Sequence, residues 1–505
     1  MPPPSLSICF LFLFMKRLHY ILWGFLFLLY FFCYCGVLSH VLFYHEQHHL
    51  FLFSWDYFWR SVASEGMISY LTDFIIQFFY IPELGSGLLA LIIASVYPLC
   101  YQIIRKILGW NDLLQLSVIP SLGLFFYTLS ADRALTFVTG CFLVLLLLYL
   151  LLVFVQQYWK IFPLLKIKYT IRQSVRIGLT LCFLVGYAGF GYRYFVRNYK
   201  RSERIMLKVE QYVKSKEWDK VLTYTSRYWK SGRTNQLIAY FHHLALYHTG
   251  QLSYRLFDFP QVLGVKGLYF PWNSDSRESE YGHFLYEELG YINEAQRWEF
   301  EAMVVWGETA PHLLNLARYN ILNGRPLVAR HFINKLKLSL FYQKEALKLE
   351  KQLNGRQLPD MRDALADVQE QPAHFANVLN IGPELEYLCQ HDTTHRMAFE
   401  YLMSYLLLSN HIPRFVKNLK EFRHLAPTPL PPAYEEALYI YKLGVSEEEF
   451  SWSGFTVSSE TEGRFKRYYA LAQAKKTHVL QAEFGKTYWF YLNYVSPYGN
   501  KVITR

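Results

Sequence analysis

Cysteine is scarce in this 505-residue sequence. Seven occur, and six of them (Cys9, Cys33, Cys35, Cys100, Cys141, Cys182) stand in apolar stretches, leaving Cys389 alone in the polar half. That distribution excludes a disulfide framework and gives no redox compartment. No glycine-rich phosphate loop and no G-x-S-x-G elbow occurs, and Gly85-Ser86-Gly87 only opens an apolar run. Concentrated positive charge is missing too. The net charge of +11 is spread as 12 Lys/Arg against 7 Asp/Glu through residue 196 and 39 against 33 beyond it. A nucleic-acid surface needs basic residues gathered on one face, so no nucleic-acid partner is expected.

What is present divides sharply. Apolar residues make up 52% of the chain and aromatics 18%, with 41 Tyr and 40 Phe, and nearly all the long apolar runs lie before residue 197. An apolar run needs about 20 residues to cross a bilayer as a helix. Five such spans are expected, at 18–43, 85–104, 113–130, 134–158 and 178–196, so 1–196 reads as a transmembrane domain in contact with the lipid bilayer. The basic pair Lys16-Arg17 directly follows Met15, which is the expected initiator rather than Met1, and the first span lacks a small-residue cleavage site, as in an uncleaved signal-anchor. Residues 44–84 are aromatic-rich, with Glu46, Asp56, Glu65, Asp73 and Glu83 against a lone Arg60, and read as interfacial or shallow re-entrant helices.

Charge orients these spans. Lys16, Arg17, Arg105, Lys106, Lys160, Lys166, Lys168, Arg172 and Arg176 fall on one side, and only Arg60 and Arg133 on the other. The excess of basic residues on cytoplasmic loops makes the first side cytoplasmic. With five spans, the amino terminus is then cytoplasmic and residues 197–505 lie outside, in the periplasm of a bacterium. Arg193, Arg197, Lys200, Arg201 and Arg204 at the exit of the last span oppose this, but long domains translocate largely regardless of charge.

Past residue 200 the pattern becomes amphipathic helices separated by short turns. Gly290 and Gly324 are 34 residues apart, and so are Ala295 and Ala329, with Tyr286 before the first glycine and Ala302 after the first alanine. Glycine permits a tight turn between paired helices, and a small residue lets the second helix approach the first. Lys216 and Gly250 continue the period backward, with an insertion at 257–275. Beyond Lys351 the register is lost, since Leu358 and Asp363 stand where glycine and alanine are wanted. Further helices are expected at 395–408, 412–423, 433–442 and 463–475.

This spacing resembles the tetratricopeptide repeat, well over 201–350 and loosely beyond. The resemblance implies a stack of helical hairpins, an α-solenoid, with a surface for peptides or protein partners and no catalytic residue. The fold class expected is therefore all-α, a bundle of about five transmembrane helices followed by a tetratricopeptide-like solenoid over 197–505. In layout the chain also resembles uncharacterised multi-pass proteins of the bacterial inner membrane. The expected function is a membrane-anchored scaffold for a protein partner, without a cofactor.

Two enzyme readings stand beside it. His45-Glu46-Gln47-His48-His49 fits H-E-x-x-H, in which His45 and His49 on one helical face would bind zinc or another divalent metal and Glu46 would activate water. Some membrane zinc peptidases resemble this chain in joining spans to tetratricopeptide repeats. Glu65 and Asp73 are candidate third ligands by proximity, and the five residues also fit the polar exit of a span. Alternatively, polytopic glycosyltransferases that use lipid-linked sugars carry an acidic residue in the first outer loop. Glu46, Asp56 and Asp73 are candidate catalytic carboxylates of that kind, with Trp55, Tyr57 and Trp59 to stack on a sugar. His391, Asp392 and His395 are of types that could chelate a metal, but read more simply as a helix start at His395 with Asp392 or Thr394 as the cap. Of His242 and His243, one is expected packed and one solvated, and 427–432 reads as a linker or helix start.

Overall fold

Uninterrupted runs of Leu, Phe, Tyr and Val that leave water satisfy their backbone as helices. The computed structural model describes residues 6–108, 112–159, 173–271, 278–355 and 380–499, and among them there are helices and no strand. The chain forms two compact units. One holds Met1–Leu207, Glu308–Pro311 and Asn334–Leu347, and the other Lys208–Gly307, His312–Ile333 and Lys348–Arg505.

In the first unit the chain runs through α1 (Leu6–Cys35), α2 (Ser39–His48), α3 (Trp55–Ser64), α4 (Met67–Ile76), α5 (Pro82–Leu108), α6 (Val118–Tyr127), α7 (Leu135–Trp159) and α8 (Gln173–Asn198). Among the described residues four stretches are long and apolar enough to cross a membrane: Leu18–Cys35, Pro82–Ile107, Leu135–Tyr158 and Gly178–Asn198. The expected five are corrected to four. The first span does not continue to residue 43: α1 stops at Cys35, a turn follows in which Leu38 N–H bonds Cys33 O at 2.8 Å, and α2 starts afresh. Hydropathy stays high across that turn, so the break was invisible to it.

The third span shrinks to α6, ten residues, or about 15 Å of helix. Asp112 is the reason. Its carboxylate accepts Leu116 N–H at 2.9 Å, Ser117 N–H at 2.8 Å and the Ser117 hydroxyl at 2.5 Å, which ties residues 112–117 into turns instead of helix. The chain nevertheless traverses the bundle here. Lys106 Nζ, at the end of α5, donates to Gln156 Oε1 at the end of α7 over 2.7 Å, so the two helices run in parallel. A segment joining parallel helices has to return through the bundle. At the opposite end the Tyr199 hydroxyl meets Val37 O at 3.3 Å and Glu203 accepts Ala131 N–H at 2.5 Å. The core of this unit packs Tyr30 and Tyr34 of α1, Ala90, Ala94 and Tyr97 of α5 and Phe125 of α6. Tyr34 bonds Thr128 at 2.5 Å and Tyr30 bonds Ser121 at 3.2 Å, so the phenols buried among apolar residues have partners. The basic residues Lys160, Lys166, Lys168 and Arg172 lie outside the described residues.

Beyond residue 200 come α9 (Arg201–Lys214), α10 (Trp218–Trp229), α11 (Gln236–His248), α12 (Leu252–Arg255), α13 (Ser279–Glu288), α14 (Ile292–Trp306), α15 (Ala310–Leu322), α16 (Pro326–Leu336) and α17 (Gln343–Gly355). After an undescribed stretch follow α18 (Ile381–His391), α19 (Arg396–Leu408), α20 (Ile412–Glu421), α21 (Pro432–Gly444), α22 (Glu447–Ser453), α23 (Ser459–Gln473) and α24 (Thr477–Phe484). The helices expected at 395–408, 412–423, 433–442 and 463–475 correspond to α19, α20, α21 and α23.

One turn recurs through this half. Lys216, Gly250, Gly290, Gly324, Asn410 and Lys475 all have positive φ. At each, the next residue reaches back five positions, as in Gln251 N–H to Leu246 O at 2.7 Å, Tyr291 N–H to Tyr286 O at 2.8 Å and His411 N–H to Leu406 O at 2.9 Å. These paired bonds satisfy the orphan carbonyls of the first helix, and the second helix starts two residues past the turn. Ala295, Ala302 and Ala329 are fully buried, as their spacing predicts. Leu358 and Asp363, where the register is expected to fail, lie outside the described residues. The turn itself returns at Asn410 and Lys475, which a search for glycine passes over because asparagine and lysine accept the left-handed region at a modest cost.

Gly282 sets the distance between α13 and α14. A Cβ there would lie 2.2 Å from Cδ2 of the buried Trp298. Gly282→Ala is expected to destabilise the hairpin unit by about 1–3 kcal/mol, read as a lower urea midpoint for the detergent-solubilised chain. An unchanged midpoint would mean that the two helices separate freely.

Both histidines of α11 are buried, which corrects the expectation of one solvated. His242 Nδ1 meets Thr225 Oγ1 at 2.7 Å, and His243 Nδ1 meets Gly267 O at 2.8 Å while its Nε2 faces Gln261 Nε2 at 2.8 Å. A donor to Gly267 and an acceptor from Gln261 is the neutral tautomer, in keeping with burial pushing His243 down to about 4. The described part of the 257–275 insertion, up to residue 271, thus folds into the core through Phe257, Phe259, Leu268 and Phe270. At α19 the cap is neither Asp392 nor Thr394. His395 Nδ1 accepts Ala398 N–H at 3.2 Å, while Asp392 closes the preceding turn on Thr394 N–H at 2.8 Å.

Candidate functional site

The acidic and histidine candidates lie on α2, on α3, on α4 and on the extended chain after α2, all in the first unit. α2 ends at His48, and His49 is already extended, at φ −130° and ψ 143°. His45 and His49 are therefore not a helical i, i+4 pair, which corrects that premise of the H-E-x-x-H reading. Their rings still come within 5.8 Å. His49 Nδ1 turns to Asp73 Oδ1 at 2.9 Å, and the other Asp73 oxygen accepts the Tyr57 hydroxyl at 3.3 Å. The same hydroxyl reaches Leu50 O at 3.0 Å. His49, Asp73 and Tyr57 thereby pin the strand-like chain after α2 onto α3 and α4. Burial, then the charge of Asp73, pushes the Tyr57 phenol above its ordinary range.

His45 is buried, and its ring nitrogens make no well-formed hydrogen bond among the described residues, only a weaker interaction with the Arg133 backbone. Burial, with His49 and His48 alongside, pushes it down to about 3, so it is neutral at pH 7. Glu46 is buried as well. Its Oε1 accepts the Tyr342 hydroxyl and its Oε2 accepts Gln47 Nε2 at 2.5 Å. Tyr342 is 296 positions away in sequence, in the Asn334–Leu347 stretch of the same unit. Phe53 N–H bonds Leu338 O at 2.8 Å, the Tyr80 hydroxyl bonds Glu345 Oε1 at 3.1 Å, and the Tyr80 ring stacks on Phe341 at 5.2 Å. Burial and the adjacent Glu46 charge hold the Tyr342 phenol well above its usual range.

Asp56 is not part of this cluster. It stands exposed on α3, paired with Arg60 one turn on, while Trp55 and Trp59 beside it are 78% and 66% exposed. Tyr57 faces inward to Asp73, so the expected row of three stacking aromatics is reduced to two. Glu65 is exposed and accepts the Ser69 hydroxyl at 2.8 Å. No group of three or more His, Cys, Asp or Glu side chains placed to hold a metal occurs among the described residues. The residue missed by sequence reasoning is Tyr342. Its signal was present in the apolar character of Leu338, Leu340 and Phe341, in a connection between helices that is ordinarily polar.

The Tyr342 bond is testable. Tyr342→Phe leaves the buried Glu46 carboxylate without its strongest donor, at a cost of about 1–3 kcal/mol. Amide exchange across residues 46–54 is expected to speed up by about tenfold or more, with no change in exchange at α19. Equal exchange in variant and wild type would show that the hydroxyl contributes nothing.

Taken with the fold, the described residues are all-helical, with four helices able to cross a membrane and a second unit of helical hairpins. It belongs to a family of unknown function, DUF6057, which matches residues 13–197 and 161–495. No curated protein and no solved structure matches the chain.

Proposed function

We propose that the chain is a multi-pass protein of the bacterial inner membrane whose helical-hairpin half, a tetratricopeptide-like solenoid in the periplasm, is a scaffold for a protein partner. The observation that carries the non-enzymatic part is that two of the three candidate carboxylates, Glu46 and Asp73, are closed off by partners. Glu46 is capped by Tyr342, Asp73 by His49 and Tyr57, and Asp56 is paired with Arg60 on an open helix face. A general base needs a free lone pair directed at space where a substrate can sit.

The recurring left-handed turn and the 34-residue spacing support the repeat reading. So does the surface. Phe300, Val304 and Val305 of α14 and Leu327 and Val328 of α16 are exposed, an apolar supply suited to a protein contact. The basic residues near the ends of α5 and α7 support a cytoplasmic placement for that end of the bundle, and hence a periplasmic carboxyl terminus.

A reporter active only outside the cytoplasm, fused after Arg505, is expected to be active. Silence from a stable fusion would overturn the sidedness. In cells, Asp56→Ala should leave any phenotype of the gene intact, whereas serine at Phe300, Val304 and Leu327 should remove it. The reverse pattern would favour an enzyme.

A further inference from the structure

Between α5, α6 and α7 lies a cleft of about 740 Å³, open on its side and lined by Val96, Gly123, Tyr127, Phe137, Gly140 and Leu145 among others. Polar atoms are nearly absent from this lining; the hydroxyls of Tyr127 and Thr136 stand at the end where α7 begins. From Leu135 to Leu145, α7 descends about 15 Å. That is half of a hydrocarbon core of about 30 Å, the depth of one leaflet.

The mouth carries a cation. Arg133 lies over the Tyr127 ring at 5.6 Å. Asp132 accepts the Ser130 hydroxyl and faces Lys200 at 3.8 Å, and Glu203 accepts Ala131 N–H at 2.5 Å and the Ser130 hydroxyl at 3.1 Å. The adjacent Asp132 charge acts on Arg133 through space but forms no hydrogen bond or ion pair with it among the described residues, and a planar, weakly hydrated guanidinium suits phosphate. An apolar groove one leaflet deep below a cation matches the two halves of a phospholipid.

We propose that this groove holds one acyl chain of an anionic phospholipid, its phosphate seated on Arg133. The proposal rests on reading the first unit as membrane-spanning.

The test uses the full chain extracted into dodecyl maltoside, incubated with phosphatidylglycerol, washed, and weighed intact by native mass spectrometry. Wild type is expected to retain one lipid. A Cβ at Gly123 meets nothing within 4 Å, so Gly123→Leu fills the groove without a backbone clash and should reduce retention about tenfold. Should that variant not reach the membrane, Val144→Trp at an exposed position of the same lining replaces it. Arg133→Gln should reduce phosphatidylglycerol retention about fivefold while leaving phosphatidylcholine unchanged. Val185→Leu, on the exposed face of α8, should change neither. Full retention in the groove-filled chain, or equal loss in Val185→Leu, would mean that only annular lipid is bound and would overturn the site. A chain recovered in the carbonate-soluble fraction would instead remove the membrane reading, and the site with it.

Discussion

Replacing Glu299 by alanine is expected to lower the stability of the hairpin unit by about 3–5 kcal/mol, since three donors lose a charged acceptor at about 1–3 kcal/mol each. Glu299 of α14 is 1% exposed and gathers three side chains. His283 Nδ1 lies 3.0 Å from Oε1, His312 Nδ1 2.8 Å from Oε2, and Asn315 Nδ2 donates to Oε1 at 2.6 Å. Burial alone would push the carboxyl up. His283 first, then the hydrogen bonds from His312 and Asn315, more than offset this and hold it below the ordinary range. Burial likewise lowers His283, so this imidazole is neutral at pH 7 and acts as a donor.

Removing the carboxylate strands two buried imidazoles and an amide. Glu299→Gln keeps the volume but turns an amide N–H toward other donors, so an intermediate loss of about 1–3 kcal/mol is expected. Both depressed values work in the same direction. The contribution of Glu299 is present above about pH 4.5 and that of His283 above about pH 6.5, and each is lost as the pH falls. Urea unfolding of the solubilised chain measures this. A loss under 1 kcal/mol for Glu299→Ala would mean that the cluster is not the buried keystone its geometry describes.

The second large effect has the opposite pH sign. Glu436 of α21 is 2% exposed, accepting Tyr488 N–H at 2.7 Å and facing Arg464 at 3.2 Å. Burial outweighs both partners and raises the carboxyl from 4.5 to about 7. The folded chain therefore favours the protonated form. Its stabilising contribution is complete below about pH 4.5 and disappears as the pH rises through about 7, a swing of roughly 3 kcal/mol at 1.36 kcal/mol for each pH unit.

Glutamine imitates the protonated acid. Glu436→Gln should match wild type near pH 5 and exceed it at pH 8 by that roughly 3 kcal/mol. Comparing the two chains at each pH cancels every other titrating group. A wild-type-to-variant difference that is the same at both pH values would defeat the prediction.

Much of the architecture was legible from residue order alone, because the relevant physics is local. Apolar length made α5, α7 and α8 visible, since a run of about 20 residues that leaves water has few options besides helix. The 34-residue period made the hairpin turns at Lys216, Gly250, Gly290 and Gly324 visible, because a left-handed residue and a small one recur where paired helices meet. Hydropathy failed at α1 and α6. It records how apolar a stretch is and not whether its backbone is helical, and neither the turn after Cys35 nor the Asp112 turn alters the apolar average much.

The candidate site was legible only as a set of residue types. Glu46, Asp73, His45 and His49 could be picked out, but each role depended on a partner. Asp73 acquired its role from His49, 24 positions away, and Glu46 from Tyr342, 296 positions away. A carboxylate that meets a phenol inside the fold is a fastening, and the same carboxylate facing a cleft would be a base. The sequence by itself determined an all-helical chain with long apolar helices ahead of repeating hairpins, since periodicity and apolar length act within a few turns of helix. Only the tertiary structure decided that Glu46 and Asp73 are held by partners, that the apolar stretch after Asp112 is a helix of only ten residues, and that an apolar groove stands beside it, because those outcomes depend on long-range packing of groups that local pattern does not connect.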